Sequence, residues 1–189
     1  GPRFGQSEHG HPWVGGEKPA IEIHEFTDYQ CPHCRRAHML ARKLVGADPR
    51  VRIYHRHLPL DMACNPAVPR PFHDRACELS RIAVCAGKQG RFWEMNDFLF
   101  QHAEDIRNRN LSTEDIARRL ELDLDTFRCC MDDPQATAVV DRDLAEANEM
   151  GLRGTPAFVI DGKVHYGKIP PEALQRLDAG ANLPVEPSN

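Results

Sequence analysis

Residues 21–40 have the sequence IEIHEFTDYQCPHCRRAHML, and this stretch decides the fold. From Ala20 to Phe26 apolar and polar residues alternate, which predicts a β-strand of about seven residues. After a short polar loop, apolar residues recur at helical spacing between Ala37 and Leu44. The cysteines Cys31 and Cys34 therefore lie where a strand passes into the N-terminus of a helix.

The pattern on either side of this stretch predicts the rest of the architecture. Alternation returns at Val51–His55, helical periodicity dominates the next 90 or so residues, and strands resume around the turn Asp161-Gly162, a strong hairpin signal. Neither end of the chain has enough strands for its own sheet, so both must share one. We predict an α/β fold with an irregular lead-in (1–19), one discontinuous β-α-β plus β-β-α domain (20–57 and 152–180), an all-helical insertion (58–151) and a tail (181–189).

Composition excludes several classes of protein. The chain has 189 residues, and because 41% of them are hydrophobic we predict a globular domain. Its formal net charge of −4 predicts no nucleic-acid partner. No apolar run approaches the roughly 20 residues of a transmembrane helix. Seven cysteines favour an oxidising compartment. The chain begins Gly1-Pro2 without methionine, so we expect that a leader or anchor has been removed.

The spacing of Cys31 and Cys34 suits thiol–disulfide exchange, because residues i and i+3 lie on one face of a helical turn. Pro32 is tolerated in that turn. Three features should lower the pKa of Cys31: the helix N-terminus, a hydrogen bond or positive charge from His33, and the Cys34 S–H. Stabilising the thiolate stabilises the reduced form, which makes the disulfide a better oxidant.

Other functions remain open at this point. A Cys-x-x-Cys pair can be half of a zinc site, but the remaining cysteines offer no second pair at that spacing, so we predict no metal. A reductase or isomerase would differ from an oxidase only in redox potential. Two alternatives belong to other functional classes. One is a module that binds or delivers a metal through these cysteines. The other is a module that binds client proteins through the helical insertion and the loop around Pro156, with cysteines that are only structural.

The remaining cysteines predict structural disulfides. Cys64 and Cys77 flank a Pro-rich segment, and a bond between them would close a loop of about 14 residues. Cys85 and Cys130 both lie in predicted helices that could pack face to face. Each could instead be a buried free thiol. Cys129 is left over, and we predict that it is inert.

The motif Phe26-x4-Cys31-Pro-His-Cys, the helical insertion, and Gly154-Thr155-Pro156 before a strand resemble the DsbA-type thioredoxin-fold oxidoreductases. The stretch GKQGRFWEM (87–95) is similar to the branch found beside, or fused to, membrane proteins like vitamin-K epoxide reductase. The resemblance covers about residues 12–179. It implies a thioredoxin fold with the helical insertion between its two halves.

The resemblance also implies roles for individual residues. Cys31 would attack, Cys34 would resolve, and Thr155-Pro156 would form a cis peptide that faces the disulfide and binds substrate. Glu25, six residues before Cys31, would be a buried acid that handles protons. No cofactor is expected beyond the redox-active disulfide. The expected partners are reduced or unfolded proteins and a membrane redox partner of the epoxide-reductase type. The expected location is the periplasm or another extracytoplasmic space, with the chain either free or the soluble domain of a membrane-anchored protein.

Overall fold

The computed structural model describes residues 1–181 and has a central six-stranded sheet. Its strands are β1 (Arg3–Gln6), β2 (Pro12–Gly15), β3 (Ile21–Thr27), β4 (Val51–His57), β5 (Ala157–Ile160) and β6 (Lys163–Tyr166). They are arranged in the order β1-β2-β4-β3-β5-β6. Only β3 and β4 are parallel, and β5 pairs antiparallel with β3. The two ends of the chain therefore share one sheet, as predicted.

Helices connect and cover this sheet. They are α1 (Pro32–Ala47), α2 (Ala76–Lys88), α3 (Phe92–Gln101), α4 (Ala103–Arg107), α5 (Thr113–Arg119), α6 (Leu124–Asp132), α7 (Pro134–Glu149) and α8 (Pro171–Ala181). Helix α1 is the crossover between the parallel strands, and α2–α7 form the insertion. Helix α5 begins with a capping box, in which Ser112 and Asp115 each accept a hydrogen bond from the other's backbone N–H. Helix α4 was not predicted, since one turn and a half is too short to show a period.

The prediction of an irregular lead-in over residues 1–19 was wrong. Strands β1 and β2 form a hairpin, and β2 pairs antiparallel with β4. Without it, β4 would be an edge strand with unpaired N–H and C=O groups. The Arg52 guanidinium also lies 3.7 Å from the centroid of the Trp13 ring. These strands are too short, and too interrupted by Gly and Pro, to show an apolar–polar alternation in the sequence. They become regular β-structure only by pairing with β4.

Two disulfides stabilise the insertion, Cys64–Cys77 and Cys85–Cys130, and both match the predicted pairs. The first ties the Pro-rich connection to the start of α2, and the second joins α2 to α6. Cys129 is exposed and is in neither bond.

The C-terminal helix α8 runs to Ala181, so the predicted tail lies outside the described residues apart from its first position. Within residues 1–181, no helix is both long enough and apolar enough to cross a bilayer.

Candidate active site

Cys31 is the N-cap residue of α1, so its sulfur lies against the unpaired N–H groups of the first turn. The Cys34 N–H donates to Cys31 Sγ over 3.3 Å. Pro32 occupies the first turn and is exposed, whereas Cys34 lies one turn on and is fully buried. Neither thiol is in a disulfide. One sulfur can therefore be reached more readily than the other.

The two thiols differ strongly in acidity. The pKa of Cys31 is lowered to about 5, first by a hydrogen bond from the Cys34 thiol and further by contacts with Thr155 and the Cys34 N–H, against the effects of burial and of the Asp28 carboxylate. Burial, followed by the neighbouring Cys31 sulfur, raises the pKa of Cys34 far above its ordinary value. At neutral pH the thiolate is therefore on Cys31, which agrees with its predicted role as the attacking thiol.

The loop before β5 faces these sulfurs from the other end of the chain. The Thr155-Pro156 peptide is cis. The Thr155 carbonyl oxygen lies 3.7 Å from Cys31 Sγ, and Pro156 is buried while Thr155 is half-buried. The pairing of β5 with β3 brings these segments together, since β3 leads directly into the Cys31 loop. The predicted substrate-binding residues thus adjoin the predicted nucleophile.

His33 lies beside Cys34 in sequence, and its side chain turns to the surface. Its side chain is exposed, and the Arg36 guanidinium donates to its Nδ1 over 2.5 Å. The groups that lower the pKa of Cys31 are Cys34 and Thr155. A tuning role for His33 stays a prediction.

Glu25 is buried in the sheet, with 4% of its surface exposed, on the strand that leads into the Cys31 loop. On β3 it lies between His55 of β4 and Phe158 of β5. Its Oε1 has no hydrogen-bond partner within residues 1–181. Burial raises the pKa of the carboxyl to about 7, and the nearby His38 offsets part of this. A buried carboxyl with this pKa can exchange a proton near neutral pH.

We expect Glu25→Gln to change how stability depends on pH. Because the folded pKa is about 7 against an ordinary 4.5, the unfolded chain ionises first as pH rises. The free energy of unfolding of wild type therefore falls by about 3 kcal/mol between pH 4.5 and 7, and that of the variant does not. Urea unfolding of both reduced proteins across this range measures the difference, and any constant cost of burying the amide cancels.

The control for Glu25→Gln is Glu172→Gln, because Glu172 is an exposed glutamate on α8 that has no side-chain hydrogen bond or salt bridge within residues 1–181. This control should show no pH-dependent difference from wild type. A stability difference between wild type and Glu25→Gln that stays constant from pH 4.5 to 7 would contradict the raised pKa.

Sequence reasoning missed a buried pair next to the motif, Asp28 and His73. Asp28 is fully buried and accepts hydrogen bonds from the backbone N–H of Gln30 (2.7 Å) and of Leu60 (2.7 Å) and from His73 Nδ1 (2.8 Å). Burial alone would lower the pKa of His73, but Asp28 and the charge on Cys31 outweigh burial and raise it. Asp28 and Cys31 therefore favour the protonated form of His73. No local pattern could reveal it, since His73 is remote in sequence.

The described residues contain no group of three or more His, Cys, Asp or Glu side chains arranged to hold a metal ion.

Solved structures of thioredoxin-like proteins resemble this fold closely. A thioredoxin-like oxidoreductase from Silicibacter pomeroyi DSS-3 is 27% identical, with a TM-score of 0.69, and the match covers 92% of this chain and 94% of that one. DsbA2 of Pseudomonas aeruginosa is 23% identical, with a TM-score of 0.66 and coverage of 92% and 96%. α-DsbA1 of Wolbachia pipientis is 21% identical, with a TM-score of 0.69 and coverage of 93% and 92%.

Curated relatives by sequence are much longer proteins. The Na(+)/H(+) antiporter NhaA 3 of Salinispora tropica is 34% identical over 160 residues, which are 85% of this chain but 23% of that protein. NhaA 1 of Mycolicibacterium gilvum is 29% identical over 169 residues, 85% of this chain and 25% of that one. The chain thus spans about a quarter of these relatives, and their names describe whole proteins of which it matches one part.

The sequence model of the Thioredoxin family matches residues 7–177, which include both strand-containing halves and the insertion between them. That range contains the adjoining Cys31, Cys34 and cis Thr155-Pro156. The chain therefore belongs to the thioredoxin family, and its fold is that of the DsbA-type enzymes.

Proposed function

We propose that this chain is a dithiol oxidase that introduces disulfides into exported proteins through Cys31 and Cys34. The observation that carries the proposal is the position of Cys31, whose sulfur is the N-cap of α1 and accepts a hydrogen bond from the Cys34 N–H. These contacts stabilise the thiolate, which exists only in the reduced protein. The oxidised form is therefore the less stable partner and tends to give its disulfide away.

The reaction proceeds by two exchanges. A client thiolate attacks Cys31 Sγ, so a mixed disulfide forms and the Cys31–Cys34 bond breaks, with Cys34 leaving. The high pKa of Cys34 means that it must take up a proton, and the buried carboxyl of Glu25 is suited to supply one. A second client thiolate then attacks the client sulfur and expels the Cys31 thiolate. Two electrons pass from the client to the cysteine pair.

The client would bind as an added strand beside the cis loop. An extended chain can pair with the free backbone groups of Thr155, whose carbonyl oxygen is 3.7 Å from Cys31 Sγ. A client cysteine in that strand would lie beside the attacked sulfur. The same docking would serve a reductase or isomerase, so only the redox potential separates these functions.

In this proposal a membrane partner similar to vitamin-K epoxide reductase reoxidises the reduced protein. The protein would act in an extracytoplasmic space, where exported proteins acquire their disulfides. The resemblance of residues 87–95 supports the choice of partner. The two structural disulfides support an oxidising compartment.

The test is oxidative refolding of a reduced, unfolded disulfide protein with catalytic amounts of this chain and a terminal oxidant. We expect faster disulfide formation than with the oxidant alone, and a redox potential above about −180 mV, nearer to DsbA than to thioredoxin. The potential is measured by equilibration with glutathione. No acceleration by protein whose Cys31–Cys34 bond is formed, or a potential near about −270 mV, would contradict the oxidase function and favour a reductase.

A further inference from the structure

Basic side chains surround Cys31 although the whole chain carries a net charge of −4. Helix α1 contains arginine, lysine and histidine but no carboxylate. Arg42 is paired with Asp97. Among residues 1–181, Arg35 and Arg36 lie within 4 Å of no carboxylate, so their charges are not neutralised locally.

Two depressions lie near the site, and each contains two such cations. One includes Cys31, and the other adjoins the cis loop, because Gly167 in its lining donates its N–H to the Pro156 carbonyl oxygen. The smaller, of about 100 Å³, lies beside Cys31 itself and includes Arg35 and Arg107. The larger, of about 440 Å³, is lined by apolar side chains of α1, β5 and α8 and includes Arg36 and Lys168. Within the described chain, Arg107 and Lys168 also have no salt bridge. We call these four cations the basic rim.

Few acidic groups oppose the basic rim. Glu104 lines the smaller depression. Asp74, also near the Cys31 loop, is paired with Arg109. The buried Asp28 is paired with His73. Four cations thus face one unpaired carboxylate at the rim, and a bound anionic group would meet a positive potential in both depressions, the one at Cys31 and the one at the cis loop.

Building on the proposed oxidase function, we infer that the basic rim selects clients whose reacting cysteine is flanked by acidic residues. A client strand that pairs with Thr155 places its cysteine at Cys31 and its neighbouring residues over the two depressions. Acidic side chains there can reach Arg35 and Arg107 on one side and Arg36 and Lys168 on the other. Because these charges are exposed, the benefit is mainly faster association, and it falls as salt screens it.

The test uses three peptides with the same pair of cysteines and with acidic, neutral or basic flanking residues. Their oxidation by the preoxidised protein is followed by stopped flow at low salt. Acidic flanking residues raise the pKa of the peptide thiols and therefore change their intrinsic reactivity. To correct for this, the rate of each peptide with the protein is divided by its rate with bis(2-hydroxyethyl) disulfide, an uncharged reagent. We expect the corrected rates to rank acidic above neutral above basic, with a span of about 10-fold or more, and to converge at 0.5 M salt.

Charge-neutralising variants assign the effect to the rim. The pair Arg36→Gln and Lys168→Gln, and separately the pair Arg35→Gln and Arg107→Gln, should each reduce the preference. The matched control is Lys88→Gln with Lys163→Gln, which removes the same net charge at exposed positions that line neither depression. The control should keep the ranking.

Each outcome bears on one of two claims. Oxidation of all three peptides without a charge ranking, or an equal loss in the control, overturns the basic rim as a selector and leaves the oxidase function intact. Failure to oxidise even the neutral peptide overturns both. If the ranking is absent but vesicles of phosphatidylglycerol bind the protein and the rim variants weaken that binding, the rim serves a membrane surface and the inference is wrong.

Discussion

Replacing Cys31 with serine is expected to abolish client oxidation and to remove the fast alkylation at the active-site pair, so that at pH 7 Cys34 labels at least about 100-fold more slowly than Cys31 does in wild type, while the exposed Cys129 labels equally in both proteins. With a pKa of about 5, Cys31 is almost fully thiolate at this pH. A thiol of ordinary pKa is ionised to only a few per cent or less, and the buried Cys34 has a pKa well above that. Iodoacetamide labelling of the reduced protein, followed by mass mapping across pH, measures the difference.

The matched variant is Cys34→Ala, which keeps the nucleophile and removes its resolving partner. It should still label rapidly, with a higher pKa for Cys31 because the hydrogen bond from the Cys34 thiol is lost. It should also accumulate covalent adducts with clients, because Cys34 can no longer release them. Fast labelling at Cys34 in the Cys31→Ser protein would reverse the assignment of the two sulfurs.

Replacing Asp143 with alanine is expected to destabilise the fold by about 3 kcal/mol, because it leaves the buried His57 N–H without an acceptor and removes one of the two carboxylates that pair with the buried Arg56, the other being Glu146. Asp143 on α7 is 3% exposed. Its carboxylate accepts hydrogen bonds from Arg56 Nε (2.7 Å) and from the His57 N–H (2.8 Å), both on β4. It thereby fastens the helical insertion to the sheet. Urea unfolding of the reduced proteins measures the loss.

The control for Asp143→Ala is Asp141→Ala, an exposed aspartate of the same helix, which should cost less than about 0.5 kcal/mol. Asp143→Asn removes the charge but keeps an acceptor for the His57 N–H, so its loss should be intermediate. It also provides a measurable variant if Asp143→Ala does not fold. Equal losses at Asp141 and Asp143 would show that the buried pair with Arg56 contributes no specific stability.

Several parts of the site could be predicted because their information is local. The strand before Cys31 and the helix after it follow from apolar periodicity over neighbouring residues. That junction places Cys31 at a helix N-terminus, which explains most of its chemistry. The disulfide Cys64–Cys77 could be predicted because the two cysteines flank one short, proline-rich loop.

Other features required contacts between segments remote in sequence. The hairpin β1–β2 becomes regular only against the edge of β4. His33 is next to Cys34 in sequence but turns to Arg36 at the surface, whereas the remote His73 is held beside the motif by Asp28.

The sequence by itself determined the β-α-β start, the helical insertion, the β-β-α end and the reactive cysteine pair, because periodicity, helix capping and motif spacing act between residues close along the chain. The loop that faces the cysteines was predicted only through the resemblance of Gly154-Thr155-Pro156 to the DsbA-type family. Tertiary structure decided which side chains lose water and which charges meet. Glu25 has a pKa of about 7 only because the sheet and the layers packed on it exclude solvent. The basic rim forms only because separate segments of the chain place Arg107 and Lys168 beside the arginines of α1. Burial and electrostatic potential depend on distances in space, and these distances cannot be deduced from which residues are neighbours in the sequence.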